Sequence, residues 1–252
     1  MFFMKLEICA NSVSSCLEAQ KGGAYRVELC AAILEGGTTP SYGEIALARE
    51  LLAIKLNVII RPRSGDFLYS ELEHRTMLKD IEMCRRLGVD GIVIGCLTAD
   101  GEVDMTRTAD LIAAAGDMSI TFHRAFDMCH DKYESLESVI KLGCHRLLTS
   151  GGKAKAEEGM GLIRRLIEQS KDRIIIMPGS GITEYNIATI AKQTGATEFH
   201  LSARMPIYSL MRYRNTEVSM GGKNIEIDEY IFPTTSAERV RKTLENLMQV
   251  KG

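Results

Sequence analysis

No C-x-x-C pair occurs among the seven cysteines of this chain, Cys9, Cys16, Cys30, Cys84, Cys96, Cys129 and Cys144. That absence removes the thioredoxin-type redox motif and the tetrahedral zinc knuckle. The odd count and irregular spacing argue against a disulfide framework, so a reducing cytoplasm is the expected setting. An excess of either charge is also missing: Lys and Arg number 31, Asp and Glu 33, for a net charge of -2. No broad basic field is present to attract nucleic acid or an anionic membrane, and neither is expected as a partner. Long apolar runs are missing too. Val58-Ile59-Ile60 and Ile174-Ile175-Ile176-Met177 are strand-sized, whereas a membrane span needs about 20 residues. Residues 1–4 are apolar but lead straight into Lys5 and Glu7. They lack the basic region, apolar core and cleavage site of a signal peptide, and Met4 is an alternative start. Neither a nucleophile elbow nor a Walker loop occurs.

What the chain does contain is a repeated strand-then-helix pattern. Strands are expected at 4–10, 25–30, 56–62, 91–97, 119–126, 146–151, 173–178 and 198–204. Helical periodicity fills 14–21, 42–53, 71–87, 105–115, 133–142, 157–171 and 184–193, with a last helix at about 235–249. Gly22, Gly88, Gly116, Gly143 and Gly195 follow helical segments, where a left-handed cap is called for. Eight such units predict an α/β chain folded as a single (β/α)8 TIM barrel over residues 1–252. Closure is favoured over an open sheet because several strands carry charge on one alternating face. The irregular stretch at about 205–233, with Met211-Arg212-Tyr213-Arg214 and Gly221-Gly222, is expected to be a long mouth loop or an oligomer contact. A homo-oligomer is the expectation.

Side chains alternate along a strand. Leu6 and Ile8 then share one face of the first strand and Glu7 and Cys9 the other; Val27 and Leu29 oppose Arg26, Glu28 and Cys30 on the second. The third groups Ile59, Arg61 and Arg63, the fifth Thr121, His123 and Ala125, the eighth Glu198, His200, Ser202 and Arg204. Glu7, Glu28, Arg61, His123 and His200 are therefore expected to converge inside the barrel as candidate catalytic residues, near the strand C-termini where barrel enzymes place their chemistry. A buried ion-pair network that only fills the lumen is the alternative. Glycine-rich strand ends at Ser150-Gly151 and Gly179-Ser180-Gly181, together with Ser202, form a candidate anion site built on backbone N–H groups. Arg61, Arg63, Lys153 and Lys155 supply nearby positive charge. The sixth strand reads Leu147-Leu148-Thr149 and has no lysine for Schiff-base chemistry. Cys9 and Cys30 end neighbouring strands on the inner face. Two thiolates about 4.8 Å apart suit a soft, low-coordinate ion such as Cu(I), with Met128-Cys129-His130 a further soft cluster.

Several ordered strings are more specific. They are Leu6-Glu7-Ile8-Cys9, Arg26-Val27-Glu28-Leu29-Cys30, Glu35-Gly36-Gly37-Thr38-Thr39-Pro40-Ser41, Ile60-Arg61-Pro62-Arg63-Ser64-Gly65-Asp66-Phe67, Thr121-Phe122-His123-Arg124-Ala125-Phe126-Asp127-Met128, Leu148-Thr149-Ser150-Gly151 and Met211-Arg212-Tyr213-Arg214-Asn215. Together they resemble the CutC family, named for copper homeostasis. Around Thr39 that family more usually reads Leu-Thr-Pro, with Leu at position 38, where this chain has Thr38. The resemblance implies a TIM-barrel fold, a cytoplasmic protein linked to copper handling, and Cys9 and Cys30 as Cu(I) ligands. It does not fix a mechanism. An enzyme of lyase, isomerase or hydrolase type, acting on a small anionic or phosphorylated metabolite, stays open beside a copper-binding protein.

Overall fold

A computed structural model describes residues 4–220 and 228–250. The strands are β1 (Lys5–Ala10), β2 (Arg26–Leu29), β3 (Lys55–Ile59), β4 (Gly91–Ile94), β5 (Ser119–Phe122), β6 (Arg146–Thr149), β7 (Ile175–Pro178) and β8 (Glu198–Leu201). They pair in parallel in the order β7-β6-β5-β4-β3-β2-β1-β8, and a parallel bridge between Gly179 and His200 brings the two ends together. The result is a nearly closed (β/α)8 barrel. Around it lie α1 (Val13–Lys21), α2 (Tyr42–Leu51), α3 (Glu71–Arg86), α4 (Met105–Ala115), the one-turn α5 (Ala125–Met128), α6 (Lys132–Lys141), α7 (Met160–Ser170), α8 (Ile187–Thr194) and α9 (Ala237–Met248).

Alternation explains the two halves of the core. Leu6, Ile8, Val27, Leu29, Leu56, Val58, Ile92 and Ile94 point outward from the strands and meet the helices in one large buried cluster. Cys9, Cys30, Ile59 and Val93 form a separate small cluster, with Ile33 packed against it, on the opposite, inward face. The helices bury matching stripes, such as Met77, Ile81 and Cys84 on α3. Ser41 with Glu44 and Ser70 with Glu73 close reciprocal capping boxes that start α2 and α3.

The strands are shorter than the apolar runs suggest. β3 stops at Ile59 and β5 at Phe122, so Arg61 and His123 sit just beyond their strands. β8 stops at Leu201 because the chain turns at Ala203, whose φ is 45°, and Arg204 opens a new strand. Gly22 caps α1 with φ at -77°, and the left-handed residue is Gly23, at 91°. Gly22 is needed for another reason: a Cβ there would lie 2.6 Å from Cβ of Val240 on α9.

Nor is the stretch at 205–233 wholly irregular. β9 (Arg204–Tyr208) and β10 (Ile231–Thr235) pair antiparallel and form the base of an arm. Gly221-Gly222 lie outside the described residues, as does the start of the chain before Met4. Asn11 donates its side-chain amide to the carbonyl of Pro233, and Thr235 donates its hydroxyl to the carbonyl of Ser202. The arm is thus rooted where β1 and β8 end. Among the described residues no helix is long and apolar enough to cross a membrane.

Candidate functional site

Register determines what meets inside the barrel. Cys9 pairs with Glu28 across β1 and β2, and Glu7 pairs with His200 across β1 and β8. Inward-facing residues at one level of adjacent strands converge, so Glu7, Cys9, Glu28, Cys30 and His200 form one group at the C-terminal half of the lumen. The sulfurs of Cys9 and Cys30 are 3.6 Å apart. His200 donates Nδ1–H to Oε1 of Glu7 at 2.8 Å, and its Nε2 lies 3.5 Å from Oε2 of Glu28. Ligand atoms of Cys9, Glu28 and His200 all lie within 4.8 Å of one another.

Below this group is a layer of ion pairs. Arg26 donates Nε–H to Glu7 and Nη2–H to Glu198, the latter at 2.8 Å. Arg146 reaches the same Glu198 oxygen at 2.7 Å and the hydroxyl of Ser119 at 2.7 Å. Asn57 donates to Glu7 at 3.4 Å. Two arginines thereby balance two carboxylates, which keeps the buried charge tolerable. Alternation along the strands had put Arg26 and Glu198 on the inner face, but nothing in the sequence separates this supporting layer from the residues above it. Arg146 opens a strand whose next two residues, Leu147 and Leu148, are apolar, and it carried no signal.

The electrostatics follow from the contacts. Burial opposes a charge on Glu7, yet Arg26 and His200 outweigh it and hold its carboxyl down at about 2. Glu28 has no arginine. Burial dominates, assisted by Cys9 and Glu7 and opposed by His200, and its carboxyl is pushed up to about 8. Burial works against a proton on His200, but Glu28, Cys9 and Glu7 outweigh it and hold the imidazole protonated well above the usual histidine range. The Cys30 thiol and burial push Cys9 up. The cluster therefore holds an imidazolium between an ionised carboxylate and a neutral carboxylic acid, beside the protonated thiol of Cys9.

Arg61 and His123 form a second group across the mouth. The Arg61 guanidinium donates to the backbone carbonyls of Glu35, Gly37 and Gly65 at 2.8–3.0 Å and stacks over Phe67. It ties the loops after β2 and β3 together. His123 packs on Phe67 with ring centroids 5.0 Å apart, accepts at Nδ1 from the Ala125 amide, and has a buried Nε2 with no partner. Burial and the nearby Arg61 charge pull its pKa down to about 3, so this imidazole is neutral. Arg63 lies outside the lumen, paired with Glu73 and Asp66.

At the glycine-rich ends the backbone donors are unequally free. The amides of Ser150 and Gly152 donate to the carboxylate of Asp127, as do the hydroxyls of Ser150 and Thr149. Arg124 holds the same carboxylate at 2.8 Å. The Gly151 amide is taken by Thr149 Oγ1, and that of Gly179 by the Thr149 carbonyl. Asp127 thus fills the turn after β6 with an internal anion; its only trace in the sequence was membership of one family string. Beyond β7, Ser180 adopts φ 80° and Gly181 φ 71°. A Cβ on Gly181 would meet the side chain of Lys155. Ser202 is half-buried just past β8. The large clefts lie elsewhere: two, of about 880 and 960 Å³, open at the opposite end of the barrel around Lys5, Tyr25 and Asp90, and around Ile175, Thr197 and Glu198.

Comparison with known proteins agrees with the motif strings. The model of the CutC family matches residues 4–205. A CutC family protein of Bacteroides thetaiotaomicron is 58% identical over 242 residues, covering 96% of this chain and 97% of the relative. The human copper homeostasis protein cutC homolog is 47% identical over 236 residues, 94% of this chain and 86% of that protein. The crystal structure of CutC from Streptococcus agalactiae superposes with a TM-score of 0.76 at 35% identity, covering 79% of this chain and 99% of that one. Thiamine phosphate pyrophosphorylase from Pyrococcus furiosus superposes at 0.61 with 15% identity, a likeness of fold alone. With its barrel spanned by the family model and relatives above half identity along nearly its whole length, the chain belongs to the CutC family, the copper-homeostasis family that its motif strings resemble.

Proposed function

We propose that this protein is a cytoplasmic copper-homeostasis protein that binds Cu(I) between the first two strands of its barrel. The observation that carries this reading is the 3.6 Å approach of the Cys9 and Cys30 sulfurs, both buried. Two thiols so placed can both reach one ion, and soft thiolates select Cu(I) over harder cations. His200 stands beside Cys9 as an available nitrogen donor. The Cys30 thiol and burial raise the Cys9 thiol well above the usual range, and a thiol must lose its proton to bind a metal, so binding releases protons to solvent and tightens as pH rises. All seven cysteines are free thiols, which suits a reducing compartment. The arm formed by β9 and β10 supports a homo-oligomer, because it exposes Tyr208, Leu210, Met211, Tyr213 and Met220.

A second reading is favoured by a different observation. His200 and Glu28 face each other at 3.5 Å with a proton available on each, an arrangement able to donate and accept protons. Ser180, Gly181 and Ser202 lie at the mouth beyond it. In this reading the protein is an enzyme of lyase, isomerase or hydrolase type acting on a small anionic metabolite.

Anaerobic Cu(I) titration against a competing chelator separates the two. One ion per chain, with affinity falling at least about a hundredfold in a Cys9→Ser/Cys30→Ser variant, is the expected result for copper binding (about 2.7 kcal/mol). Affinity unchanged by the double substitution overturns the thiolate site and leaves phosphorylated metabolites to be screened against the mouth.

A further inference from the structure

We propose that the Cys9–Cys30 pair is also an electron donor, reducing Cu(II) to Cu(I) while it closes a disulfide between the first two strands. This inference rests on the copper reading above and adds an activity to it.

Two donor sets share the Cys9 sulfur. The first is the sulfur–sulfur pair with Cys30 at 3.6 Å. The second is the mixed set of Cys9, Glu28 and His200, whose sulfur, oxygen and nitrogen atoms lie within 4.8 Å of one another. Imidazole nitrogen and carboxylate oxygen accommodate Cu(II), whereas paired thiolates select Cu(I). The hydrogen bond from His200 Nδ1 to Glu7 leaves Nε2 facing the cluster. A carboxylate behind a metal-facing histidine is the usual outer-shell support of a metal site. One thiol therefore stands in a site suited to the oxidised ion and touches a second thiol that completes a site suited to the reduced one.

The sulfurs are placed for a bond. Cys9 lies in β1 and Cys30 directly follows the end of the adjacent parallel β2, its amide donating to the Ala10 carbonyl, and the sulfurs need to approach by about 1.6 Å to reach the disulfide length of about 2.05 Å. Cys9 is the more accessible, at 9% exposure against 1% for Cys30. Cys9 is thus the thiol that meets the ion, and Cys30 the one that resolves the bond. Ile59, Val93 and Ile33 wall the pair on the apolar side.

The reaction balances without a further reagent. Two S–H bonds break and one S–S bond forms. The two electrons released reduce two Cu(II) ions, taken up in turn, to two Cu(I), and two protons leave to solvent. The disulfide form has no thiolate to hold Cu(I), so it releases the reduced ions.

The test uses the reduced, copper-free, full-length protein under anaerobic conditions. Cupric sulfate is added, the reaction is stopped, and Cu(I) is then read with a selective chromophoric chelator while disulfides are mapped by non-reducing peptide analysis. About two Cu(I) per chain and a cross-linked Cys9–Cys30 peptide are expected, with the Cu(I) yield falling at least about tenfold in Cys9→Ser and in Cys30→Ser. Absence of Cu(I), or oxidised sulfurs mapped to other cysteines of the wild type, overturns the proposal; the peptide map does not depend on how well either variant folds. Tight Cu(I) binding without cupric reduction would leave the copper site standing and remove this activity. Reduction with the expected cross-link, but no affinity for Cu(I) added directly, would do the reverse.

Discussion

Glu28 and Glu7 are buried side by side in one lumen, yet they hold protons oppositely because only Glu7 touches an arginine. The difference has a consequence for stability. The unfolded chain releases the Glu28 proton near pH 4.5, whereas the folded protein keeps it to about pH 8. Between those values the unfolded state gains charge that the folded state does not, so stability falls as pH rises. His200, with its pKa raised by folding, acts in the same direction: its contribution is complete below the ordinary histidine value and is lost as pH rises through the folded one. Glu7 acts oppositely, and its contribution disappears as pH falls from 4.5 toward about 2. A Glu28→Gln variant cannot take part in the first of these. Its melting temperature relative to wild type should therefore climb between pH 5 and pH 8, by about 2–4 °C for each kcal/mol of linkage removed. A difference that stays flat over that range would mean that Glu28 ionises at an ordinary pH. Alternation along β1, β2 and β8 was enough to bring Glu7, Glu28 and His200 together. It could not show that Arg61 is held by carbonyls and that His123 sits in a separate group, because a strand pattern gives the direction of a side chain and not its partners.

The turns are where element-level reading fell short. A glycine-rich strand end looks the same in sequence whether its N–H groups wait for an outside anion or already hold an inside one. After β6 the anion is Asp127, a residue 23 positions upstream of Ser150 that reaches the turn through tertiary structure alone. Four donors from Thr149, Ser150 and Gly152 lock the turn onto it, and that turn lies directly against the start of α7. Gly159, the N-cap of α7, packs so closely on Ser150 and Gly151 that a Cβ would overlap the Ser150 carbonyl. Backbone cannot yield as a flexible side chain does. Gly159→Ala should cost about 1–3 kcal/mol by overpacking, read as a lower urea midpoint with an unchanged slope. Full stability in that variant would show that the β6 turn moves freely relative to α7. The capping boxes of α2 and α3, by contrast, can be read from Ser41 with Glu44 and Ser70 with Glu73, since both partners lie within one turn.

At the scale of the molecule, the barrel was legible because two local periods repeat eight times and parallel strands joined by helices have few ways to close. The arm was not, because pairing of Arg204–Tyr208 with Ile231–Thr235 spans residues that have no regular pattern. Its geometry makes the oligomer testable. A two-stranded ribbon is at best marginal alone in water, and this one carries Leu210, Tyr213 and Met220, which are 97%, 74% and 82% exposed. A second copy offers the same residues in return, as a two-fold interface requires. Because these side chains touch little of their own barrel, charging them should break association without unfolding the protein. Leu210→Asp combined with Met220→Asp is expected to weaken self-association at least tenfold (about 1.4 kcal/mol) and to leave the melting temperature of the dissociated chain within a few degrees of wild type. Light scattering coupled to size-exclusion chromatography reads the mass directly. A monomeric wild type, or a double variant with unchanged mass, would show that the arm serves something other than a second copy of this chain.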